Sequence, residues 1–363
     1  MQSRRVLSTS TAVVLFASMA ASAVPVSAQQ PPWEVEVHVG ALLTNNPSDG
    51  QGALPGPGEP FSTAGGPSRK VPSWYFGDGA RLLNDVIGIV TSAGPVDRIV
   101  PLDPVLAGPL AERLPGIPIG IRISRAIGRR MRAEFSLDVS QGRLETRRDA
   151  LDGIEVSRAS FERAWQAVLL DEPATFVAPQ VSSTSTAHDE GRQVLTTGTL
   201  HIDLRAEGTL IPFVTGGAGV VSSVGTSPSV TLEGRYGFRV FDTFPLEEID
   251  TVILRHAADD HVFVGVVGGG FRYFMTPRRG LRVDIRAHVG KNPSRTLISA
   301  HPRSTPTPPL QTFLFSRTTP SLQISNHPNY PSTLSGSLTD FESFTASGTS
   351  RPVSVTVGFF WRL

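Results

Sequence analysis

The sequence predicts an all-β fold, an eight-stranded antiparallel up-and-down barrel that crosses a membrane with its strands. Eight segments alternate apolar and polar residues with a period of two, which is typical of strands. Long and short connections alternate between them, and the polar face of the strands is neutral overall. A tilted strand needs about 9–11 residues to cross a bilayer, which matches the length of these segments. The predicted strands are about 33–43, 116–124, 131–142, 193–205, 210–222, 261–274, 281–290 and 351–363.

The clearest strands have two distinct faces. Residues 281–290 place Leu281, Val283 and Ile285 on one face, with charged residues between them, and 353–363 alternates over its whole length. Segments 210–222 and 261–274 are apolar and rich in glycine, so their inward and outward faces cannot be assigned from the pattern. Glycines suit strands that bend sharply or approach each other closely, as a small barrel requires.

The N-terminus has the features of an export signal. Arg4 and Arg5 precede an apolar run, and the run ends in small residues up to Ala28. We therefore predict a cleaved signal peptide at 1–28 and a single barrel domain at 29–363.

The connections predict the orientation of the barrel. Three short turns, at 125–130, 206–209 and 275–280, carry glycine or proline. The other connections are long, and an even-stranded barrel with this pattern has its termini and its tight turns on the same side. Outer-membrane barrels place short turns in the periplasm and long loops outside. The long connections are 44–115, 143–192, 223–260 and 291–350.

The polar face predicts a charged lumen. Six arginines oppose six carboxylates there, a balance that a narrow shared interior requires because an unpaired buried charge costs several kcal/mol. His38, His201 and His288 lie on the same face and could form a metal site or proton switch, but they fit better as members of the charged network. The predicted network contains Glu34, Glu36, Arg122, Arg132, Glu134, Asp138, Asp203, Arg205, Arg282, Asp284, Arg286 and Arg362.

Composition and motifs exclude several functions. The chain has no cysteine, and hence no disulfide and no cysteine-ligated zinc. Its formal net charge of +1 argues against non-specific nucleic-acid binding. It has no Gly-x-Ser-x-Gly, His-Glu-x-x-His or phosphate-loop motif. We therefore expect neither an enzyme nor a cofactor or metal site.

Two segments carry a family resemblance. The end of the chain, with Val357, Phe359, Trp361 and Leu363 on one face, resembles the last strand of bacterial outer-membrane barrels, which the assembly machinery reads as an insertion signal. The hairpin 268–286 is similar to the penultimate hairpin of the outer-membrane β-barrel domain family, the OmpA- and OmpW-like eight-stranded proteins. That resemblance implies an outer-membrane location, contact with lipid and lipopolysaccharide, and periplasmic chaperones and the barrel-assembly machinery as partners during biogenesis.

The expected function is a structural or surface-interaction role. An eight-stranded lumen is only wide enough to be filled by side chains or to hold one small ligand, so we expect the charges to occlude it. Recognition of an unknown extracellular ligand would then belong to the long loops, where helical spacing at 82–90 and 161–169 predicts two helices. Alternatives are a small-solute channel of OmpW-like type, a lipid-modifying outer-membrane enzyme and a soluble periplasmic barrel with its apolar face inside.

Overall fold

The computed structural model describes most of the chain beyond the N-terminal region. It covers residues 33–46, 49–54, 100–140, 142–171, 176–188, 191–240, 244–291, 294–305 and 338–363. The predicted signal peptide at 1–28 and the predicted helix at 82–90 lie outside these residues.

The described residues form seventeen strands and two helices. The helices are α1 (Asp103–Leu106) and α2 (Arg148–Asp171), and among the described residues neither is long and apolar enough to cross a membrane. The strands are β1 (Trp33–Leu43), β2 (Gly50–Gly52), β3 (Ala111–Arg113), β4 (Pro118–Ala126), β5 (Met131–Ser140), β6 (Leu144–Thr146), β7 (Phe176–His188), β8 (Arg192–Asp203), β9 (Leu210–Val224), β10 (Ser229–Val240), β11 (Phe244–Ala257), β12 (His261–Thr276), β13 (Arg279–Lys291), β14 (Arg295–Thr305), β15 (Leu338–Ala346), β16 (Thr349–Ser350) and β17 (Val353–Arg362).

Eight of these strands close into the predicted antiparallel barrel. Their order is β1–β4–β5–β8–β9–β12–β13–β17, and β1 pairs with β17 to complete the circle. Glu34 lies opposite Arg362 and Val39 opposite Val357, so the first and last strands pair over their full length. Each of the eight predicted segments overlaps one barrel strand. The fold class is therefore confirmed.

The outer surface of the barrel is an apolar belt. On β1, Val37 and Val39 are about half exposed, whereas the alternate residues Glu34, Glu36 and His38 are buried inside. On β12, Phe263 and Tyr273 face outward ten residues apart, about 25 Å along the axis of a barrel with strands tilted by about 40°. This equals the height of a lipid-facing belt. The alternative with the apolar face inside is therefore wrong.

The long connections contain a second sheet that continues the barrel wall. Its order is β2–β15–β14–β11–β10–β7. Each of these strands adjoins one barrel strand in the sequence; in the same order, the barrel strands are β1, β17, β13, β12, β9 and β8. The cap strands therefore follow the order of the barrel strands around the wall. The register also continues: Arg192 pairs with Val224 in the barrel, and His188 pairs with Ser229 beyond it. The short pair β3–β6 extends β4–β5 in the same way. We call the part of the chain beyond the barrel mouth the cap.

The cap has an apolar core of its own. Helix α2, which includes the predicted helical segment 161–169, packs against β7 and β10. Trp165 stacks on Tyr236 at a ring-centroid distance of 4.5 Å, and Phe161 contacts Trp165. The remaining core residues come from α1 and the residues that flank it, from α2 and from the inner face of the sheet: Leu102, Leu106, Leu110, Ala150, Ile154, Ala164, Val230, Leu232, Val252, Leu254, Ile298 and Ala300.

Candidate functional site: the charged lumen

The barrel lumen contains most of the predicted charges and one arginine that the sequence pattern did not assign. Arg205 lies after the end of β8 in an exposed turn and is not part of the lumen, in contrast to the prediction. Arg272 takes its place and is completely buried. Arg362 is half-buried. The balance of six arginines and six carboxylates is therefore kept. The other buried members are Glu34, Glu36, Arg122, Arg132, Glu134, Asp138, Asp203, Arg282, Asp284 and Arg286.

Arg272 was missed because it follows a run of glycines. Gly268, Gly269 and Gly270 have no side chains that would mark the two faces of β12. The residues after them carry a usable signal, since Phe271 and Tyr273 face outward on either side of Arg272. A period of two applied to this short stretch alone would place Arg272 inside.

One cluster of ion pairs lies at the end of the barrel that carries the short turns. Glu34 accepts from Arg272 and lies 3.3 Å from Arg132 and 3.4 Å from Arg362. Asp203 lies 3.4 Å from Arg272, and its second oxygen is 2.9 Å from His201 Nε2. Two carboxylates thus hold three arginines contributed by strands from all around the barrel.

A second cluster fills the middle of the lumen. Arg282 donates to Glu134, and it also contacts Glu36 at 3.3 Å and Asp284 at 2.9 Å. Arg286 donates to Glu134 and to Asp284, the latter at 2.7 Å. Arg122 completes the cluster with its Nη1 2.8 Å from Glu36. Three arginines and three carboxylates are therefore in contact, and the charge of this cluster is zero.

Aromatic rings pack against the arginines at the turn end. The Arg272 guanidinium lies 5.0 Å from the ring centres of both Phe274 and Phe360, and these two rings meet edge to face. The Arg362 guanidinium also lies over the Phe274 ring, 4.3 Å from its centre. A guanidinium over an aromatic face is attracted to the π electrons of the ring. These contacts occupy the turn end of the lumen.

The three histidines stand apart from one another. His38 hydrogen-bonds Asp138, His201 pairs with Asp203, and His288 Nε2 lies 3.1 Å from Ser354 Oγ. Each has its own partner, as members of the charged network would. Over the described ranges, no group of three His, Cys, Asp or Glu side chains has a geometry that could hold a metal ion.

Two glycines make room for this network. A Cβ at Gly358 would overlap Oε1 of Glu36. Arg122 donates to this oxygen and Arg282 donates to Oε2, so the carboxylate is held in place. A Cβ at Gly120 would lie 2.6 Å from the carbonyl oxygen of Leu137 and 2.8 Å from the His38 ring. Glycine therefore serves here to admit charged side chains that a larger residue would displace.

The ion pairs occupy the lumen from its turn end to its middle. At the cap end of the lumen a cavity of about 40 Å³ remains between Asp138, His288, Arg122 and Arg286. Such a space holds a few water molecules at most. Two residues that line this cavity each have a buried nitrogen with no hydrogen-bond partner among the described residues, namely Arg122 Nε and His288 Nδ1.

The predicted insertion signal lies on the outside of the last strand. Val357, Trp361 and Leu363 are exposed to the lipid side, and the rings of Phe359 and Trp361 meet edge to face at 4.5 Å. The Leu363 amide donates to the Trp33 carbonyl oxygen at 2.9 Å. The end of the chain is thereby attached to the start of β1.

Comparisons with known proteins return only distant structural similarity. No protein-family model and no curated protein matches this chain. The chain is similar to the outer-membrane protease OmpT from Escherichia coli, with a TM-score of 0.31, 8% identity, and coverage of 93% of this chain and 99% of that one. An outer-membrane channel from Pseudomonas putida F1 aligns with a TM-score of 0.23, 10% identity, and coverage of 94% and 100%.

Proposed function

We propose that this protein is a bacterial outer-membrane barrel with a structural or surface-interaction role, in which the lumen is a plug and the cap carries recognition. The observation that supports it is the ion-pair network. Arginines and carboxylates from all around the barrel wall contact one another across the lumen, and the middle cluster has no excess charge. The proposal assigns no catalytic step to the chain.

The cap supports the recognition role. It is a folded unit with a buried apolar core rather than a set of separate loops. A rigid scaffold that presents loops is a common way to position binding residues. In this proposal the cap faces the outside of the cell, the apolar belt contacts lipid and lipopolysaccharide, and the exposed face of β17 is bound by the assembly machinery during insertion.

The first experiment locates the protein and its folded state. Fractionated cells are run on a gel with and without boiling, because a folded membrane barrel resists SDS until it is heated. We expect the protein in the outer-membrane fraction, with a mobility shift on boiling. Recovery from the soluble periplasm, with a single band, would contradict the proposal.

The plug is tested by conductance in planar bilayers. The wild-type protein should show no steady conductance. Arg282→Met opens a gap among Glu36, Glu134 and Asp284 and is expected to produce conductance or to reduce folding, whereas Arg205→Met, an exposed turn arginine, should do neither. A conducting wild-type protein, or a fully folded and closed Arg282→Met variant, would contradict the plug.

A small-solute channel is the second candidate, and one observation favours it. The 40 Å³ cavity above the middle cluster shares Leu42, Gln193, Val221 and Pro352 with a larger cavity at the barrel mouth. The two cavities are therefore neighbours, and a solute path from the mouth to the charged network would run through both. If this path carries solute, Arg286→Gln should change uptake selectivity in liposomes while the barrel stays folded.

A further inference from the structure

A cavity lies where the cap meets the barrel mouth. Its volume is about 140 Å³, close to that of an engineered protein cavity of about 150 Å³ that binds benzene. Leu42, Val221, Val262 and Val264 line it from the barrel, and Ala111 and Leu144 line it from the cap. A ligand of roughly one aromatic ring would therefore fit between these apolar walls.

A rigidly held arginine also lines this cavity. The backbone carbonyl oxygen of Arg113 accepts from Thr44 Oγ1 at 2.8 Å and from Asn46 Nδ2 at 3.0 Å. Its amide donates to Asn46 Oδ1 at 2.9 Å. These bonds attach the cap strand β3 to the end of β1, so that the guanidinium is positioned by both parts of the molecule.

The guanidinium of Arg113 has neutral partners. Its Nη1 donates to the Gly142 carbonyl oxygen at 3.1 Å. When the Gln193 amide is turned so that its oxygen faces the guanidinium, that oxygen accepts from Nε at 3.2 Å and from Nη2 at 3.3 Å. Within the described part of the chain no carboxylate comes within ion-pair distance of it. Burial lowers the pKa of Arg113 to about 10, still well above neutral pH, so the group remains charged. This contrasts with the lumen, where every arginine has a carboxylate partner.

The other ionisable groups of the cavity keep its potential positive. His256 is buried and neutral, because burial and the charges of Arg113 and Arg295 lower its pKa to about 4. Lys291 lies at the exposed rim and adds a positive charge. Asp259, the carboxylate that lines the cavity among the described residues, is also exposed at the rim and pairs with Arg295 at 3.4 Å.

We propose that this cavity is a binding site for a small organic anion, a carboxylate on an apolar body of about one ring, whose carboxylate pairs with Arg113. An ionised carboxylate is the natural partner of a guanidinium that is bonded only to neutral acceptors. The apolar walls take the rest of the ligand. The site uses residues outside the lumen network, and it does not depend on whether the lumen conducts.

Binding of benzoate to the folded, detergent-solubilised protein tests this proposal. Calorimetric titration should show one benzoate per chain, and benzamide, which has the same shape without the charge, should bind at least tenfold more weakly. Arg113→Gln should weaken benzoate at least tenfold and leave benzamide unchanged. The matched control is Arg235→Gln, an exposed cap arginine beside Glu233, which should bind benzoate as the wild type does.

A second variant addresses the cavity itself. Val262→Phe fills it without changing any charge and should abolish binding of both ligands, with folding verified by the gel shift on boiling. The proposal is wrong if the wild-type protein does not bind benzoate, if benzamide binds equally well, or if either variant, folded, binds benzoate unchanged.

Discussion

The barrel and the cap share one wall of strands, but the interior of the barrel is charged and that of the cap is apolar. Inside the barrel, Arg282, Glu134 and their neighbours are buried in contact with one another, and the apolar side chains point outward to lipid. Inside the cap, Trp165 and Tyr236 stack in an apolar core, and ion pairs such as Arg255–Asp340 lie on the outside. The polarity of the wall is inverted at the barrel mouth.

The solvent explains this inversion. In the membrane the outer face must be apolar, so the charged interior has to satisfy itself with ion pairs. Beyond the membrane the outer face meets water, and the wall is stabilised by burying apolar side chains as in a soluble protein. The comparison predicts that the barrel is destabilised most by substitutions that leave a buried charge unpaired. The cap should be destabilised most by substitutions that remove buried apolar side chains.

The largest effect is expected from Glu134→Gln. Arg282 and Arg286 both donate to Glu134, so the variant leaves buried positive charge without compensation. Breaking a buried ion pair costs about 3–5 kcal/mol. Urea titration in detergent, monitored by the gel shift on boiling, should show that the free energy of unfolding falls by this amount. A cost below about 1 kcal/mol would mean that the lumen is hydrated rather than plugged.

Trp165→Ala is expected to weaken the cap while leaving the barrel intact. Truncating a buried tryptophan costs about 3–5 kcal/mol, here confined to the packing of α2 on β10. Limited proteolysis should cut the cap faster, and the mobility shift on boiling should persist. Trp165→Phe should cost much less, because the indole nitrogen has no hydrogen-bond partner among the described residues. Simultaneous loss of barrel and cap would show that the two halves fold as one unit.

The stability of the cap should decrease in acid because of His256. Its pKa in the folded protein is about 4, below its ordinary value of 6.5. The full stability is therefore present above pH 6.5 and is lost as the pH falls towards 4, since only the unfolded chain takes up the proton. At pH 5 the loss is about 2 kcal/mol. Proteolysis at a series of pH values should show this decrease, and His256→Gln should remove it, whereas replacing the exposed His261 should not.

The smallest effect is expected on the outer surface of the cap. Arg255 and Asp340 lie 2.9 Å apart and both are exposed. Exposed pairs contribute less than about 1 kcal/mol and are screened by salt. Arg255→Gln should therefore change the urea midpoint of the cap only slightly, and not at all in 0.5 M salt, chosen as roughly threefold above physiological ionic strength. An effect as large as that of Glu134→Gln would mean that this exposed ion pair of the cap stabilises the protein as much as the buried ion pairs of the lumen.

The sequence by itself determined the barrel. Alternation with a period of two is a local property, so strands such as 281–290 and 353–363 can be recognised without knowing their neighbours. The same alternation assigned Glu34, Arg132 and Asp284 to the inner face, because a strand fixes the direction of each side chain relative to the next.

Only the tertiary structure decided the place of Arg272, the exclusion of Arg205 and the presence of the cap sheet. Glycines before Arg272 hide the period, and Arg205 continues the alternation of β8 past the residue at which the strand ends. The cap strands have weak patterns and pair across large sequence separations, as β7 does with β10 and β11 with β14. Each cap strand extends a barrel strand, so the order of the barrel strands determines which cap strands pair. This order exists only once the barrel has closed and cannot be read from any single segment.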